Sequence, residues 1–375
     1  MSKTRLGDIC TIIKGTKVEQ TEQDCNSIRY IQIEDLRSNE CIKYCEKKEH
    51  YVIANPRDII IAWDGANAGT VGFGLSGAIG STLAIIRLNR EDFDTRFLGM
   101  LLRKKFNYLR SNCTGATIPH INRRSLEEIK IPLLPLETQK QIAKTLDTIS
   151  ELLSLRKQQL AELNNLTKSI FYDMFGDPAT NEKGWDIGTI RDIVADVKYG
   201  TSKPAQEKGK FIYLRMNNIT YDGDMDYSDI KYIDLPEHEV EKYLVKKGDV
   251  LFNRTNSKEL VGKTAVFKND TPMVIAGYII RIRVNERADP EFLSAILNSR
   301  YGKETLYGMC KAIIGQANIN AQELQNIRIF IPPISLQKQF ATIVCKIEEQ
   351  KSLVRKAIQE TQLLFDSLMS QYFDE

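Results

Sequence analysis

The chain has 375 residues, of which 42% are hydrophobic and 27% are charged, and its formal net charge is only +3. This length predicts two domains, and the small net charge excludes a chain that is basic over its whole surface. We find no apolar run long enough to cross a membrane, no signal sequence, and seven scattered cysteines without a histidine that would complete a metal site. A reduced, cytoplasmic protein without a membrane partner is therefore expected.

The first half of the chain has a mixed pattern of strands and helices. Strands are predicted at 30–36, 56–65 and 81–88, and a helix is predicted over 94–110 with Asp94 as its N-cap. A long helix over 136–176 follows, with Gly176 suited to its C-cap and residues 177–188 as a linker.

The second half repeats the first. Strands are predicted at 213–219, 247–256 and 277–284, a helix over 289–309 with Asp289 as its N-cap, and a second long helix over 334–375. The segment LPLETQKQIA (134–143) reappears as PPISLQKQFA (332–341), and INRRSLEEIKI (121–131) reappears as INAQELQNIRI (319–329). A repeat of this length indicates two related modules, each followed by a helix, rather than a solenoid.

Both long helices carry apolar residues at the alternating steps of three and four that are typical of a coiled-coil seam. This spacing predicts that the helices pack on each other through Leu146, Ile149, Leu153, Leu160, Leu163, Val344, Ile347, Val354, Ile358 and Leu368. If the helices are antiparallel, they hold the modules at opposite ends of a spacer.

The motifs that suggest chemistry are weak. Gly72–Gly77 fits G-x-G-x-x-G but lacks the strand before it and the helix after it that a cofactor loop needs. Gly262–Thr264 resembles the end of a phosphate-binding loop, although a turn with a solvated lysine is the simpler interpretation. Asp58 is interpreted as a turn residue, like Asp249 in the other module. We find no catalytic constellation, so no catalytic residue, metal or cofactor is assigned to this chain.

The remaining candidates are polar and basic side chains in loops that differ between the modules. Arg, Lys, Asn and Gln are suited to base edges and phosphates. The candidate DNA-binding residues are Lys14, Thr16, Lys17, Asp64, Asn67, Thr117, His120, Arg123, Thr201, Lys203, Arg215, Asn253, Arg254, Asn256, Lys258, Gln316 and Asn318.

Taken together, these segments resemble the specificity (S) subunit of type I restriction–modification systems. The resemblance rests on IPLLPLETQKQIA and IFIPPISLQKQFA before the helices, the linker from Phe175 to Trp185, the LGDI and IRDI openings, and GDVLF in the second module. The first module departs from this pattern, with Pro-Arg-Asp in place of Lys-Gly-Asp and no counterpart of Gly262-Lys263.

The resemblance implies an α+β fold with target recognition domains at 1–135 and 189–333, and two helices that form an antiparallel coiled coil. It implies a non-catalytic subunit that reads a bipartite, asymmetric DNA site, one domain for each half. The implied partners are double-stranded DNA, two modification subunits and restriction subunits, with S-adenosylmethionine, ATP and Mg²⁺ bound only by those partners. Two alternatives stay open from the residues alone, namely a duplicated protein-binding adaptor and a fused DNA methyltransferase with an unrecognised site.

Overall fold

The computed structural model describes residues 2–115, 117–310 and 317–374. The chain divides into two compact units, one formed by residues 1–155 with 357–375 and the other by residues 156–356. Each unit contains one module, the start of one long helix and the end of the other.

The first module is α+β. Its strands are β1 (Lys3–Arg5), β2 (Cys10–Lys14), β3 (Ser27–Ile31), β4 (Lys43–Glu46), β5 (Ile53–Ala54), β6 (Ile59–Ala62), β7 (Val71–Phe73), β8 (Gly77–Ile79), β9 (Leu83–Leu88) and β10 (Lys130–Pro132). Its helices are α1 (Thr95–Lys104), α2 (Phe106–Ser111) and α3 (Arg123–Glu127), and the long helix α4 (Leu136–Phe175) follows.

The second module repeats this plan. Its strands are β11 (Asp186–Thr189), β12 (Val194–Tyr199), β13 (Phe211–Leu214), β14 (Lys231–Ile233), β15 (Leu244–Val245), β16 (Val250–Asn253), β17 (Thr255–Asn256), β18 (Thr264–Val266), β19 (Met273–Ile275), β20 (Ile279–Val284), β21 (Ala317–Asn318) and β22 (Arg328–Ile331). Its helices are α5 (Glu237–Tyr243), α6 (Pro290–Asn298), α7 (Arg300–Met309) and α8 (Ala321–Gln325), and the long helix α9 (Ile334–Phe373) follows.

The two modules share one sheet topology. The four-stranded sheets of the first run in the order β2-β9-β6-β7 and β4-β3-β8-β5, and those of the second in the order β12-β20-β16-β18 and β14-β13-β19-β15. In each module one central pair is parallel, β3 with β8 and β13 with β19, in otherwise antiparallel sheets. The duplication predicted from the sequence is therefore also a duplication of fold.

Some local predictions need correction. The predicted strands over 30–36 and 213–219 end early, because residues 34–36 and 216–218 form single 3-10 turns. Each helix predicted over 94–110 and 289–309 is two helices, α1 with α2 and α6 with α7. The N-cap predictions are confirmed, since the carboxylate of Asp94 accepts a hydrogen bond from the Phe97 N–H and that of Asp289 from the Glu291 N–H, both at 2.9 Å.

A buried aspartate fixes the turn before the central strand of each module. Asp58 accepts a hydrogen bond from the Asn55 N–H and pairs with Arg87 at 2.7 Å. In the second module Asp249 accepts from the Lys246 N–H and pairs with Arg283 at 2.8 Å. These contacts confirm the turn role and occupy both carboxylates.

In the first unit, the start of α4 and the end of α9 belong to the core of the first module. Leu146 of α4 lies in one hydrophobic cluster with Met369 and Phe373 of α9. The Phe373 ring lies 5.3 Å from that of Phe97 on α1, measured between centroids. Because this cluster joins the start of one long helix to the end of the other, the two helices run antiparallel here.

In the second unit, the end of α4 and the start of α9 join the core in the same way. Phe171 and Phe175 of α4 contact Phe340 of α9, with ring centroids 5.9 and 5.3 Å away. Phe292 of α6 completes the aromatic cluster. Aromatic pairs of this kind contribute about 0.5–1.5 kcal/mol each beyond the area that they bury.

The predicted seam residues are largely removed from solvent. The buried members are Leu146, Ile149, Leu153, Val344, Ile347 and Val354, and the half-buried members are Leu160, Leu163, Ile358 and Leu368. Lys351, which interrupts the apolar pattern, is also buried, and its ammonium pairs with Asp224 at 3.0 Å and with Glu348 at 2.6 Å.

A fully buried glutamine joins each module to its long helix. The Gln139 amide donates to the carbonyls of Asp92 and Leu134 and accepts from the Asp94 N–H, all at 2.9 Å. Gln337 donates to the carbonyls of Arg287 and Pro332 at 3.1 and 2.8 Å and accepts from the Asp289 N–H at 2.9 Å. Each glutamine thus holds the first turn of α4 or α9 against the capped start of α1 or α6.

We expect Gln139→Leu and Gln337→Leu each to lower the free energy of unfolding by at least about 3 kcal/mol, because each leaves one N–H and two C=O groups without this partner and each such buried group costs about 1–3 kcal/mol. Denaturant unfolding of the full chain measures the effect. The exposed neighbours Gln141 and Gln339 are matched controls, and Gln141→Leu and Gln339→Leu should change stability by well under 1 kcal/mol. Equal losses at the buried and exposed positions would contradict this role.

Candidate nucleic-acid interface

Two loops of the first module meet at the end of β6. Asp64 and His120 pair as an isolated antiparallel bridge. The Gly65 N–H donates to the Pro119 carbonyl and the Ile121 N–H to the Trp63 carbonyl, both at 2.9 Å. The loop after β6 and the segment before α3, which are far apart in sequence, therefore form one surface.

Three predicted residues come together on this surface. His120 Nδ1 lies 2.6 Å from Asp64 Oδ1, and Lys14 Nζ lies 2.9 Å from Asp64 Oδ2. Burial raises the pKa of Asp64, but the hydrogen bonds from His120 and Lys14 outweigh it and hold that pKa below its usual value. The cluster therefore presents an ionised carboxylate between two side chains that donate hydrogen bonds.

The second module forms the same surface with different side chains. Thr255 and Asn256 of β17 pair with Asn318 and Ala317 of β21. The Thr255 hydroxyl donates to the Asn318 side-chain oxygen at 3.0 Å. The Ile319 N–H donates to the Arg254 carbonyl at 2.9 Å, which matches the bond from Ile121 to Trp63.

The guanidinium of Arg254 lies over an aromatic ring on this surface. Its guanidinium carbon is 4.7 Å from the ring centroid of Tyr199, the last residue of β12, and the Tyr199 hydroxyl accepts a hydrogen bond from the Ala321 N–H at 2.7 Å. Tyr199 thus holds Arg254 in place while its own ring is fixed to the start of α8. Lys258 lies 4.1 Å above the Tyr307 ring.

The two modules therefore carry different side chains on one backbone frame. By sheet register and sequence repeat, Lys14 corresponds to Tyr199, Asp64 to Thr255, and His120 to Asn318. The first surface offers a carboxylate, an imidazole and an ammonium, whereas the second offers a hydroxyl, an amide and a stacked guanidinium. Surfaces of such different chemistry suit different hydrogen-bonding partners.

Several of the basic candidate residues form ion pairs within the chain. These pairs are Lys14–Asp64, Arg123–Glu127, Lys203–Glu239 and Arg215–Asp229, with distances of 2.9, 2.7, 2.7 and 2.7 Å. Sequence reasoning did not find these pairs, since the acidic partners lie elsewhere in the chain or on the next helical turn. A phosphate would have to compete with these carboxylates.

The other candidates are placed as follows. Lys17 and Thr117 are exposed, Asn256 is half-buried, Thr16 donates to the His50 carbonyl at 3.4 Å, and Asn67 accepts from Arg37 at 2.9 Å. Gln316 lies outside the described residues.

Two candidate DNA-binding residues were expected to be exposed in loops, but the structure shows that both are buried. Thr201 is 3% exposed, and its hydroxyl accepts a hydrogen bond from the Lys203 N–H. Asn253, the last residue of β16, is 0% exposed. Its side-chain oxygen accepts a hydrogen bond from the Thr255 N–H. Neither side chain has surface to offer a ligand. Tyr199, by contrast, was not among the candidate residues. Its alignment with the candidate Lys14 in the repeat was the signal that could have identified it.

The weak motifs take structural roles. Gly72–Gly77 runs from the middle of β7 to the first residue of β8, so a strand follows it where a dinucleotide loop requires a helix. Lys263 is 8% exposed and donates to the Met216 carbonyl at 2.7 Å, which corrects the interpretation as a solvated lysine. Burial lowers the pKa of Lys263. Across residues 2–115, 117–310 and 317–374, no three His, Cys, Asp or Glu side chains are placed to hold a metal ion, and no helix is long and apolar enough to span a membrane.

Known proteins resemble the whole length of the chain. The family model described as "Type I restriction modification DNA specificity domain" matches residues 1–165 and 182–362. The "Type I restriction enzyme MjaVIII specificity subunit" of Methanocaldococcus jannaschii is 30% identical, over 94% of this chain and 87% of that protein. The "Type I restriction enzyme EcoKI specificity subunit" of Escherichia coli is 26% identical, over 79% of this chain and 68% of that protein.

The fold comparison agrees. The "Type-I restriction-modification system S subunit from M. genitalium" superposes with a TM-score of 0.62, covering 99% of this chain and 96% of that one at 16% identity. That match supports two mixed-sheet domains, each followed by a long helix. The family assignment replaces the adaptor and the fused methyltransferase as interpretations. The chain belongs to the type I restriction–modification DNA specificity family and is a non-catalytic specificity subunit with two target recognition domains.

Proposed function

We propose that each module reads one half of a bipartite, asymmetric DNA site. The observation that carries this proposal is the pair of surfaces at the ends of β6 and β16, which share a backbone frame and differ in side chains. Two copies of one reader with identical side chains would suit a symmetric site. Different side chains at matching places suit two different half-sites.

In the second module, the base-reading residues are Arg254, Asn256 and Asn318. Arg254 is stacked on Tyr199, so little rotamer entropy is lost when its guanidinium bonds a base edge. In the first module, Asp64, Asn67 and His120 take this role. A carboxylate accepts from cytosine N4, and an amide pairs with adenine, so the two surfaces have different preferences.

Lys14, Lys17, Arg123, Lys203, Arg215 and Lys258 bind phosphates in this proposal, together with Thr16 and Thr117. Exposed ion pairs contribute only about 0–1 kcal/mol, so a phosphate replaces the carboxylate partners of these residues at small cost. Lys14 would leave Asp64 in this exchange.

The two long helices set the gap between the half-sites. Each has 40 residues, which corresponds to about 60 Å at 1.5 Å per residue. Half-sites read from one face of DNA lie about 34 Å apart or at multiples of that distance. The length of these helices is therefore of the same order as the distance between half-sites.

Chemistry belongs to partner chains in this proposal. Two modification subunits bind S-adenosylmethionine and methylate adenine taken out of the stack, and restriction subunits supply ATP- and Mg²⁺-dependent translocation and cleavage. The assembly works in the cytoplasm, where the DNA is. Its partners are DNA and those subunits.

Replacing Arg254 and Asn256 by alanine should change or abolish recognition of one half-site and leave the bases read at the other unchanged. Because the modules read independently in this proposal, the double variant Asp64→Asn, His120→Ala should change or abolish recognition of the other half-site and leave the first unchanged. The readout is the methylated sequence across a genome, mapped with the modification subunits present. Equal loss at both half-sites from either variant would refute reading by separate modules.

Inserting seven residues after Leu153 in α4 and seven after Val354 in α9 should move the half-sites apart by about 10 Å, since each residue adds 1.5 Å of helix. The mapped gap should then lengthen by about three base pairs at 3.4 Å each, or methylation of the original site should stop. An unchanged gap with normal methylation would refute the role of the helices as a spacer.

A further inference from the structure

The first module contains a cationic pocket that lies outside the predicted residues. Its volume is about 440 Å³, and it is lined by Leu36, Arg37, Gly69, Thr70, Val71, Arg103 and Phe106. Two guanidinium groups therefore face one open space, although the chain as a whole carries little net charge.

The two arginines are held side by side. Arg37 Nη2 donates to the Thr70 hydroxyl at 3.1 Å, and Arg103 Nε donates to the Val71 carbonyl at 3.0 Å. Since Thr70 and Val71 are adjacent, the guanidiniums are neighbours. Arg103 also lies 4.4 Å above the Phe73 ring, measured to its centroid, which fixes the orientation of its planar group.

Neither guanidinium forms an ion pair with a carboxylate among the described residues, in contrast to many arginines of this module. The paired ones include Arg5, Arg29, Arg87, Arg90, Arg96, Arg123 and Arg124. The carboxylate of Asp147 acts on Arg103 electrostatically, but it is paired with Arg96 at 3.1 Å. Two neighbouring cations without a counter-charge repel each other, and a bound anion would offset that cost.

The second module has no arginine at either of the corresponding positions. Asn298 stands where Arg103 does, and its amide donates to the Thr264 carbonyl at 2.7 Å, which matches the bond from Arg103 to Val71. Thr220 stands where Arg37 does, and the loop that follows is longer. Gly223 of that loop packs so tightly on Asn298 that an added Cβ would lie 2.7 Å from the amide nitrogen. The pair of arginines is therefore a feature of the first module that the second module does not repeat.

We propose that Arg37 and Arg103 together bind one backbone phosphate of the DNA at the first half-site. This inference rests on the proposed function. Arg37 Nη2 also donates to Asn67 Oδ1 at 2.9 Å, and Arg110 donates to the Gly65 carbonyl at 3.3 Å, so the pocket borders the loop that begins at Asp64. Paired guanidiniums match the geometry of a phosphate, which accepts bidentate hydrogen bonds.

The test compares the wild-type chain with Arg37→Gln, Arg103→Gln and the double variant, each in complex with the modification subunits. DNA affinity is measured over a range of salt concentrations. Each substitution should weaken binding to cognate and unrelated DNA by the same factor. The slope of log affinity against log salt should become shallower by about 1 in the double variant, because one phosphate contact is lost. The bases read by the second module should stay the same.

Arg90→Gln is the matched control, because Arg90 is exposed in the same module and paired with Asp92 at 2.6 Å. It should leave the slope unchanged. Arg37→Lys keeps the charge and should retain most of the slope. Arg103→Gln could lower the thermal unfolding temperature, and its effect on binding would then reflect misfolding. In that case Arg37→Gln alone tests the phosphate site, because Arg37 is exposed.

An unchanged slope in Arg37→Gln and the double variant, with sequence-specific binding intact, would overturn the phosphate site and leave the proposed function standing. Weaker assembly with the modification subunits, together with an unchanged slope, would also overturn the phosphate site. That result would identify an acidic segment of a partner as the occupant of the pocket. A change in the bases read by the second module would also overturn the phosphate site. Failure of the wild-type complex to prefer any DNA sequence would refute the proposed function itself.

Discussion

The buried amides of Gln139 and Gln337 are the contacts on which the arrangement of each module and its helix depends. Each amide satisfies the capping N–H and one carbonyl just before α1 or α6, and one carbonyl just before α4 or α9. Glutamine suits the place because it has both a donor group and an acceptor in one planar amide. A helix that meets a sheet domain without such a tie could pivot about its apolar contacts. The orientation of each reading surface relative to its own helix start is thereby fixed within the unit.

The same division between frame and surface runs through both modules. Asp58 with Arg87, and Asp249 with Arg283, fix the turn before the central strand in both copies. Variation is concentrated at strand ends and loops, where a changed side chain costs little packing energy. Some variation also lies in the core. Arg281 of β20 is 1% exposed and pairs with Asp196 at 2.8 Å, where the first module has the apolar Ile85. A duplicated fold therefore tolerates even a buried charge when the paired carboxylate is supplied with it.

The two modules differ in the charges that they carry at the proposed DNA interface. Many basic residues on the proposed interface are paired with carboxylates, which explains how a chain of net charge +3 carries candidate phosphate ligands. The pocket of Arg37 and Arg103 departs from this pattern, because its guanidiniums have no carboxylate partner among the described residues. The first module thus combines a carboxylate at its reading surface with a cationic pocket beside it. The second relies on a stacked arginine and neutral polar groups.

The sequence by itself determined the duplication, the long helices, their heptad seam and the family, because repeats and apolar periodicity are written locally along the chain. It also placed Lys14, Asp64 and His120 among the candidates. It did not determine that these three meet, that Thr201, Asn253 and Lys263 are buried, or that Tyr199 supports Arg254. Burial and ion pairing depend on residues that lie far apart in the chain, so they are decided only when the sheets close. For the same reason, two arginines 66 positions apart, Arg37 and Arg103, become neighbours only through the adjacent residues Thr70 and Val71 that hold them.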